Sequence, residues 1–197
     1  MGTRARRNGT GLTFEPQQIE LLYAELVKLF YDEGNRRQAR KVASRLEAAL
    51  GALPDYAASI RGEEVRSLIA EVRGDFAEAA RSREAEIRRI LELHALTVNT
   101  PDWEYVSRQY DFSDVSDRLD LLAILYDAQG ELDRAAATLR ESKHYCQSHR
   151  IPFDAQDLLD ELEESRGKQL RRRARNSPMR VKPLSGVSKL VRVRSTR

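Results

Sequence analysis

Three stretches of this sequence share a pattern in which a glycine is followed, five residues later, by an alanine. They read GNRRQA from Gly34, GDFAEA from Gly74 and GELDRA from Gly130. Glycine takes the left-handed backbone conformation that ends many helices at a lower cost than other residues. A small alanine on the next helix lets two antiparallel backbones approach closely. The pattern therefore predicts three turns, each of which joins a pair of antiparallel helices.

Apolar residues on both sides of these glycines recur at spacings of three and four, which is typical of helices that bury one face. Alanine, leucine, glutamate and arginine dominate the chain, and its 197 residues include only 10 glycines and 6 prolines. This composition favours helices over a sheet. We therefore predict an all-α fold in which antiparallel helical hairpins cover about residues 20–53, 60–96 and 116–149.

The remaining segments flank or interrupt the three hairpins. Residues 1–14 are rich in Gly, Thr and Arg without apolar periodicity, which predicts a flexible basic segment before a helical domain of residues 15–165. The turn glycines are 40 residues apart on one side and 56 on the other, so residues 97–115 are expected to be an insertion. A last, capping helix is expected from Asp154, where the side chain can cap it, and residues 166–197 are expected to be a basic tail.

The positions before Gly34 and Gly130 carry a further pattern. Four residues before each glycine there is an aromatic residue, Phe30 or Tyr126. Eight residues before it there is a leucine, Leu26 or Leu122, and eleven residues before it there is Tyr23 in the first hairpin or Leu119 in the third. With the following alanine, this pattern resembles the tetratricopeptide repeat (TPR). The middle hairpin departs from it at Glu63, Arg66 and Ala70. An irregular bundle of helical hairpins is the alternative.

The TPR resemblance implies a short α-solenoid whose concave groove binds a peptide or a partner protein. The first helix of each pair would line that groove, at the positions between its core residues. The charged or aromatic residues expected there are Lys28, Tyr31, Glu64, Glu71, Asp117, Asp120 and Asp127, together with Leu21, Ala24, Arg61, Leu68 and Ile124.

Such a groove would be mixed in charge at one end and acidic at the other. TPR proteins that grip the carboxyl terminus of heat-shock chaperones resemble one another in a clamp of Lys, Asn and Arg. Here only Lys28 and Arg61 are cationic at the groove positions, and none is Asn. The expected ligand is therefore a basic or neutral segment of a protein. The alternative is that these charges only solubilise an exposed helix face.

Charge is unevenly divided along the chain. Residues 8–165 contain 19 Lys or Arg against 31 acidic residues, whereas residues 166–197 contain 12 Lys or Arg and no acidic residue. A basic tail suits phosphate groups, and this tail has no aromatic residue on which a base could stack, so any binding of nucleic acid is expected to be nonspecific. The basic residues that would contact phosphates include Arg171, Arg172, Arg173, Arg175, Arg180, Lys182, Lys189, Arg192 and Arg194.

Other interpretations of the tail stay open. It can be a solvated segment without a specific partner. Its stretch KLVRVR, from Lys189 to Arg194, alternates apolar and basic residues and can pair as an edge strand with a partner. The tail can also fold back onto Asp117, Asp120 and Asp127 of its own chain or of a neighbouring copy. The last arrangement would block the groove or drive self-association.

Aromatic residues are concentrated in the insertion. Trp103, Tyr105, Tyr110 and Phe112 lie within ten residues of one another. Such a cluster commonly packs over the seam between neighbouring repeats. The alternative is that Trp103, Tyr105 and Tyr110 anchor a partner, because Trp and Tyr bury a large area at a small entropic cost.

No sequence pattern indicates catalysis, a cofactor or a metal. His144 and His149 would point in different directions on a helix, and with Cys146 they lack a fourth ligand at a suitable spacing for zinc. Phosphate-binding loops and nucleophile motifs are absent from the sequence. No run of about 20 apolar residues predicts a membrane span, and the single cysteine fits a reducing compartment, so a cytoplasmic location is expected.

Two functions follow as predictions. The first is a non-catalytic adaptor or assembly factor that binds a protein segment in the groove of a helical repeat. The second is a protein that associates with nucleic acid or a ribonucleoprotein through its basic tail. In the second case the helical body would act as a spacer.

Overall fold

A computed structural model describes residues 15–176 of the chain, and their side chains as far as Arg172. This part of the chain is helical and contains no strand, which confirms the predicted all-α class for the described residues. The elements are α1 (Pro16–Val27), which a π-helical segment (Lys28–Asp32) continues, α2 (Arg36–Ala52), α3 (Pro54–Ala57), α4 (Ile60–Arg73), α5 (Phe76–Thr97), α6 (Trp103–Ser107), α7 (Phe112–Ala128), α8 (Leu132–His149) and α9 (Gln156–Asn176). Residues 1–14 and the tail from residue 177 lie outside it.

The three predicted turns are confirmed at the glycines. Gly34, Gly74 and Gly130 have φ angles of 63°, 81° and 75°, which lie in the left-handed region. The residue after the glycine then caps the next helix in two of the turns. Asn35 Oδ1 accepts a hydrogen bond from the backbone N–H of residue 38 at 3.2 Å, and Asp75 Oδ1 accepts one from residue 78 at 3.0 Å.

The alanines five residues after these glycines are fully buried. Ala39, Ala79 and Ala135 each have 0% of their surface exposed, so the paired helices meet at small side chains. Each second helix also packs on the first helix of the following pair: α2 contacts α4, and α5 contacts α7. Helix α9 then packs on α8. Successive hairpins therefore bury one another's apolar faces.

The apolar core forms two clusters that meet at α4. The first cluster joins α1, α2, α3 and α4, with Ile19, Leu26 and Leu46 fully buried. The second joins α5, α7, α8 and α9, with Ile90 and Leu139 fully buried, and Ala70 of α4 belongs to it. Because α4 contributes to both clusters, it links the first hairpin to the rest of the chain.

Two helices extend beyond the bounds expected from the sequence. Helix α7 begins at Phe112, because Asp111 and Asp114 form a reciprocal capping box in which each side chain accepts a hydrogen bond from the other's backbone N–H. Helix α9 begins at Gln156 and continues past residue 165 to Asn176. None of the helices in residues 15–176 combines the length and the apolar character needed to cross a bilayer.

Pairs of charged side chains hold α9 along α8. Arg140 Nη2 lies 2.9 Å from Glu163 Oε1, and Arg166 contacts Asp133 near the start of α8. Leu159 and Leu162 are buried beneath these pairs. The two helices are therefore antiparallel, and residues 165–172 of α9 lie beside the turn that joins α7 to α8.

We predict that Gly130→Ala lowers the free energy of unfolding by about 1 kcal/mol, because alanine is strained at a positive φ. No atom lies within 4 Å of the position that a β-carbon would occupy at Gly130, so the cost would come from the backbone alone. Gly51 in α2 has equal space but a helical backbone. Gly51→Ala should therefore raise stability by up to about 1 kcal/mol. Urea unfolding of both variants tests this, and equal effects of the two substitutions would contradict it.

Candidate functional site

Polar side chains connect α1 directly to α4. Glu20 Oε2 lies 2.7 Å from Arg61 Nη2, and the Arg61 guanidinium stacks 4.1 Å from the centre of the Tyr23 ring. Tyr23 Oη donates a hydrogen bond to Glu64 Oε1 at 2.8 Å. Further along the same helices, Tyr31 Oη donates to Glu71 Oε2 at 2.9 Å. These contacts join residues about one hairpin apart in the sequence, and they bind the first two hairpins together.

Arg118 of α7 extends this network toward the third hairpin. Its guanidinium contacts Glu86 of α5, lies 3.0 Å from Asp114 Oδ1 and lies 4.0 Å from Glu64 Oε2. Glu86 is fully buried and also pairs with Arg83, whose side chain is only 7% exposed. We call Glu20, Arg61, Glu64, Arg83, Glu86 and Arg118 the paired cluster. In it every carboxylate faces at least one guanidinium.

The carboxylates of the paired cluster respond differently to burial. Arg61 holds the pKa of Glu20 below its ordinary value of 4.5. Burial opposes ionisation of Glu64, but Arg61 and Tyr23 keep its pKa below 4.5 as well. At Glu86 burial prevails over the two guanidiniums and raises the pKa. The cluster therefore contains both ion pairs that favour the charged carboxylate and a buried position that disfavours it.

A second polar surface runs along α7 and has a different character. Asp117, Asp120, Leu121, Ile124 and Asp127 share one face of this helix, because each lies three or four residues from at least one other member. The two apolar residues are unusually accessible, with Leu121 40% exposed and Ile124 48% exposed. We call these five residues the α7 acidic face. Its exposed apolar residues, Leu121 and Ile124, lie between the carboxylates of Asp117 and Asp120 on one side and that of Asp127 on the other.

The carboxylates of the α7 acidic face lack cationic partners in the described part of the chain. No Lys, Arg or His nitrogen of residues 15–172 lies within 4.0 Å of Asp117, Asp120 or Asp127. Asp120 Oδ1 is buried without a hydrogen-bond partner there. Burial raises the pKa of Asp117 and of Asp120, and the nearby carboxylate of Asp154 adds to this effect at both. Arg118 opposes it at Asp117 and the Ser142 hydroxyl opposes it at Asp120, but the pKa of each stays raised. The face thus carries negative charge that this part of the protein does not neutralise.

The predicted groove residues therefore separate into two groups. Tyr31, Glu64 and Glu71 contact side chains of a neighbouring helix, and Lys28 Nζ lies 3.5 Å from Glu33 Oε1. Asp117, Asp120 and Asp127 remain together on α7 without an ion pair in the described residues, and the contact of Asp120 is with the Ser142 hydroxyl of α8. The expectation for Leu68 is wrong, because that side chain is only 2% exposed and belongs to the core.

Sequence reasoning missed Arg83, Glu86 and Arg118. Arg83 and Glu86 lie on the second helix of a pair, which the TPR resemblance does not assign to the groove. The charges of Arg83, Glu84 and Glu86 in one short stretch gave no sign of burial. The signal that was present is the i, i+4 spacing of Asp114 and Arg118, which predicts an ion pair on α7.

The aromatic residues of the insertion are mostly half-buried against neighbouring side chains. The Trp103 ring lies 5.0 Å from the His94 ring and 5.1 Å from the Phe112 ring. Tyr110 packs against the second core cluster. Tyr105 differs from both, because it is 67% exposed. Of the three candidate anchors, only Tyr105 presents most of its surface to a partner.

The histidines and the cysteine near the end of α8 occupy separate environments. Cys146 is buried, and its Sγ lies 2.9 Å from Ser116 Oγ. The His149 ring packs against both Phe112 and Tyr145, at centroid distances of 4.3 and 4.1 Å, whereas His144 is exposed. Within residues 15–176 no group of three or more His, Cys, Asp or Glu side chains is arranged to hold a metal ion.

The predicted basic residues lie only partly in the described structure. Arg171 and Arg172 are exposed near the carboxyl end of α9. Arg173 and Arg175 also belong to α9, but their side chains lie outside the described part. The remaining predicted tail residues, from Arg180 to Arg194, lie outside the described residues altogether.

The chain was compared with protein-family models, with curated proteins and with solved structures. None of them matches it. Functional inference therefore rests on the geometry and charge of the two surfaces described above.

We predict opposite effects of pH for two carboxylate substitutions. The pKa of Asp120 is raised above 3.8, so its carboxylate opposes folding above that raised pKa, and the cost disappears as the pH falls through it. Asp120→Asn should raise the urea midpoint at pH 7, with a gain that vanishes below pH 3.8.

The pKa of Glu64 is lowered below 4.5, so the stabilisation by its carboxylate is present above pH 4.5 and is lost as the pH falls through the lowered pKa. Glu64→Gln should therefore lower the midpoint at pH 7, with a loss that shrinks in acid. Urea unfolding of both variants and the parent chain between pH 7 and about pH 3 gives the comparison. If both variants shift the urea midpoint in the same direction at pH 7, the carboxylates of the paired cluster and of the α7 acidic face do not differ in their effect on stability.

Proposed function

We propose that this chain is a TPR-like helical repeat protein that acts as a non-catalytic adaptor or assembly factor. In this proposal a basic segment of a protein partner binds to the α7 acidic face (Asp117, Asp120, Leu121, Ile124 and Asp127). The turn glycines, the buried alanines and the sequential packing of hairpins support the repeat architecture. The chemistry of α7 supports the choice of ligand.

One observation carries the proposal: accessible apolar side chains lie between carboxylates that have no cationic partner in residues 15–172. A Lys or Arg near Asp117 or Asp120 would offset the cost of burying a carboxylate that lacks a counter-charge. Leu121 and Ile124 would meanwhile be removed from water, at about 25 cal/mol for each Å² buried. The best ligand is therefore a segment in which basic and apolar residues alternate.

The paired cluster is less suitable as a docking surface for a basic segment. Its carboxylates already face Arg61, Arg83 and Arg118, so a new cation would have to displace an existing guanidinium. Removing one member of a buried ion pair leaves the other uncompensated, at a cost of about 3–5 kcal/mol. We assign these six residues to holding the hairpins together.

A second candidate function is association with nucleic acid or a ribonucleoprotein through the basic tail. The observation that favours it is the absence of acidic residues from 166–197, a segment with 12 Lys or Arg. Arg171 and Arg172, the last tail arginines with described side chains, are exposed at the carboxyl end of α9. Phosphate binding of this kind would be nonspecific in sequence and strongly dependent on salt.

For the α7 acidic face, the test is binding of fluorescent peptides by fluorescence anisotropy. The peptides have 15 residues (a length of about 50 Å when extended) in which Lys or Arg alternates with Leu or Val. Asp117→Asn with Asp127→Asn should weaken binding about tenfold, because two charge contacts are lost. Ile124→Ala should also weaken binding, but its effect should change little with salt.

A matched control replaces Asp32 and Asp102, which are exposed and make no side-chain ion pair in the described residues. Asp32→Asn with Asp102→Asn removes the same net charge and should leave the affinity nearly unchanged. If both double variants weaken binding equally, the peptide responds to total charge rather than to α7, and the proposal fails.

Filter binding of arbitrary single-stranded RNA at increasing salt tests the second candidate. Under that candidate the logarithm of the affinity falls steeply with the logarithm of the salt concentration, and Arg171→Gln with Arg172→Gln reduces the slope by about 1–2. Negligible binding at about 0.15 M salt would leave the adaptor as the better account.

A further inference from the structure

The chain leaves the described structure at the same end of the hairpin stack as the carboxyl end of α7. Because α9 runs antiparallel to α8, its residues 165–172 reach the turn between α7 and α8, where Gln169 lines a shallow pocket with Gly130 and Asp133. Asp127 stands one helical turn before Gly130 in the sequence and lies at the same end of α7. Residue 177 therefore follows a helix whose last turns lie beyond the carboxyl end of α7.

The remaining chain is long enough to cover the face. Residues 177–197 can span up to about 70 Å if fully extended. The distance along α7 from Asp127 to Asp117 is about 15 Å, at 1.5 Å for each helical residue. This length is sufficient even if the chain has to turn back around the end of α9 before it reaches α7. Reach therefore does not limit contact between this segment and the α7 acidic face.

The segment also has the composition that the face requires. Residues 177–197 contain six Lys or Arg, no acidic residue, and a high share of Leu and Val. In particular, Lys189–Arg194 reads KLVRVR, which places basic residues next to apolar ones. This is the alternation expected of a ligand for carboxylates that flank Leu121 and Ile124.

We propose that residues 177–197 bind the α7 acidic face of their own chain and compete there with the basic segment of an outside partner. The inference rests on the proposed function, since it uses the same face. It assigns to the tail a regulatory role: the face opens only to a partner that binds tightly enough to displace residues 177–197, or when another ligand removes the tail.

Attachment to the same chain makes this competition effective. A segment of the same chain experiences an effective concentration of the order of 1 mM at a site within its reach. If the free tail sequence binds the face with a Kd of about 0.1 mM, an outside peptide of equal affinity would bind about tenfold more weakly than to an open face. Weak contacts between the tail and the α7 acidic face are thus sufficient to reduce binding of an outside peptide. A partner with a higher affinity can still displace the tail.

The test uses full-length protein and a fluorescein-labelled peptide with the sequence of residues 177–197. One variant replaces all six Lys and Arg of that segment by Gln, which would open the face without shortening the chain. The control variant replaces six exposed basic residues that make no ion pair in the described residues, Arg36, Arg37, Arg40, Lys41, Arg45 and Arg88, again by Gln. Both variants change the net charge equally.

We expect the tail variant to bind the peptide about tenfold more tightly than the parent chain, measured by anisotropy. The control variant should show a much smaller change. Adding Asp117→Asn and Asp127→Asn to the tail variant should remove the gain. Circular dichroism of each variant checks that the helices are retained.

Three results would overturn the inference. If parent and tail variant bind equally, and binding still depends on Asp117 and Asp127, the tail does not cover the face, but the proposed function stands. If binding is independent of these residues in every variant, both proposals fail. If sedimentation shows a parent dimer that the tail variant lacks, the tail binds a neighbouring copy instead of its own chain.

Discussion

A single helical hairpin cannot bury its own apolar face, and this constraint determines how the protein is built. Each second helix therefore packs on the first helix of the following hairpin, as α2 does on α4 and α5 on α7. The left-handed glycines set the reversals, and the alanines five residues later let the backbones approach. The same stacking places the polar faces of α1, α4 and α7 side by side. It therefore determines which charged side chains contact one another.

The distribution of counter-charges then distinguishes one polar surface from the other. Between α1 and α4, guanidinium and tyrosine hydroxyl groups face the carboxylates, and these contacts hold the first two hairpins together. On α7 the carboxylates of Asp117, Asp120 and Asp127 have no such partner among the described residues. A carboxylate that is partly buried without a counter-charge reduces stability at neutral pH. A basic ligand would offset this cost, which is why we place binding there.

The sequence was sufficient to predict the all-α class, the three glycine turns and the buried alanines, because each depends on local backbone geometry and on helical periodicity. It also grouped Asp117, Asp120 and Asp127 correctly on one face of a helix. It could not predict the paired cluster, since Glu86 and Arg118 are 32 residues apart and meet only when α5 packs on α7. For the same reason, Leu68 was expected in the groove, although tertiary packing buries it.

The most direct measurement is an NMR titration of the ¹⁵N-labelled full-length chain with a peptide of alternating Lys or Arg and Leu or Val. Binding where the carboxylates lack counter-charges predicts that the largest amide shifts lie between Asp117 and Asp127, with little change near Glu20 and Arg61, which pair with each other. Shifts concentrated near Glu20 and Arg61, with α7 unaffected, would contradict the account. In that case, the paired cluster would be the binding surface, and charge pairing would not be what selects the site.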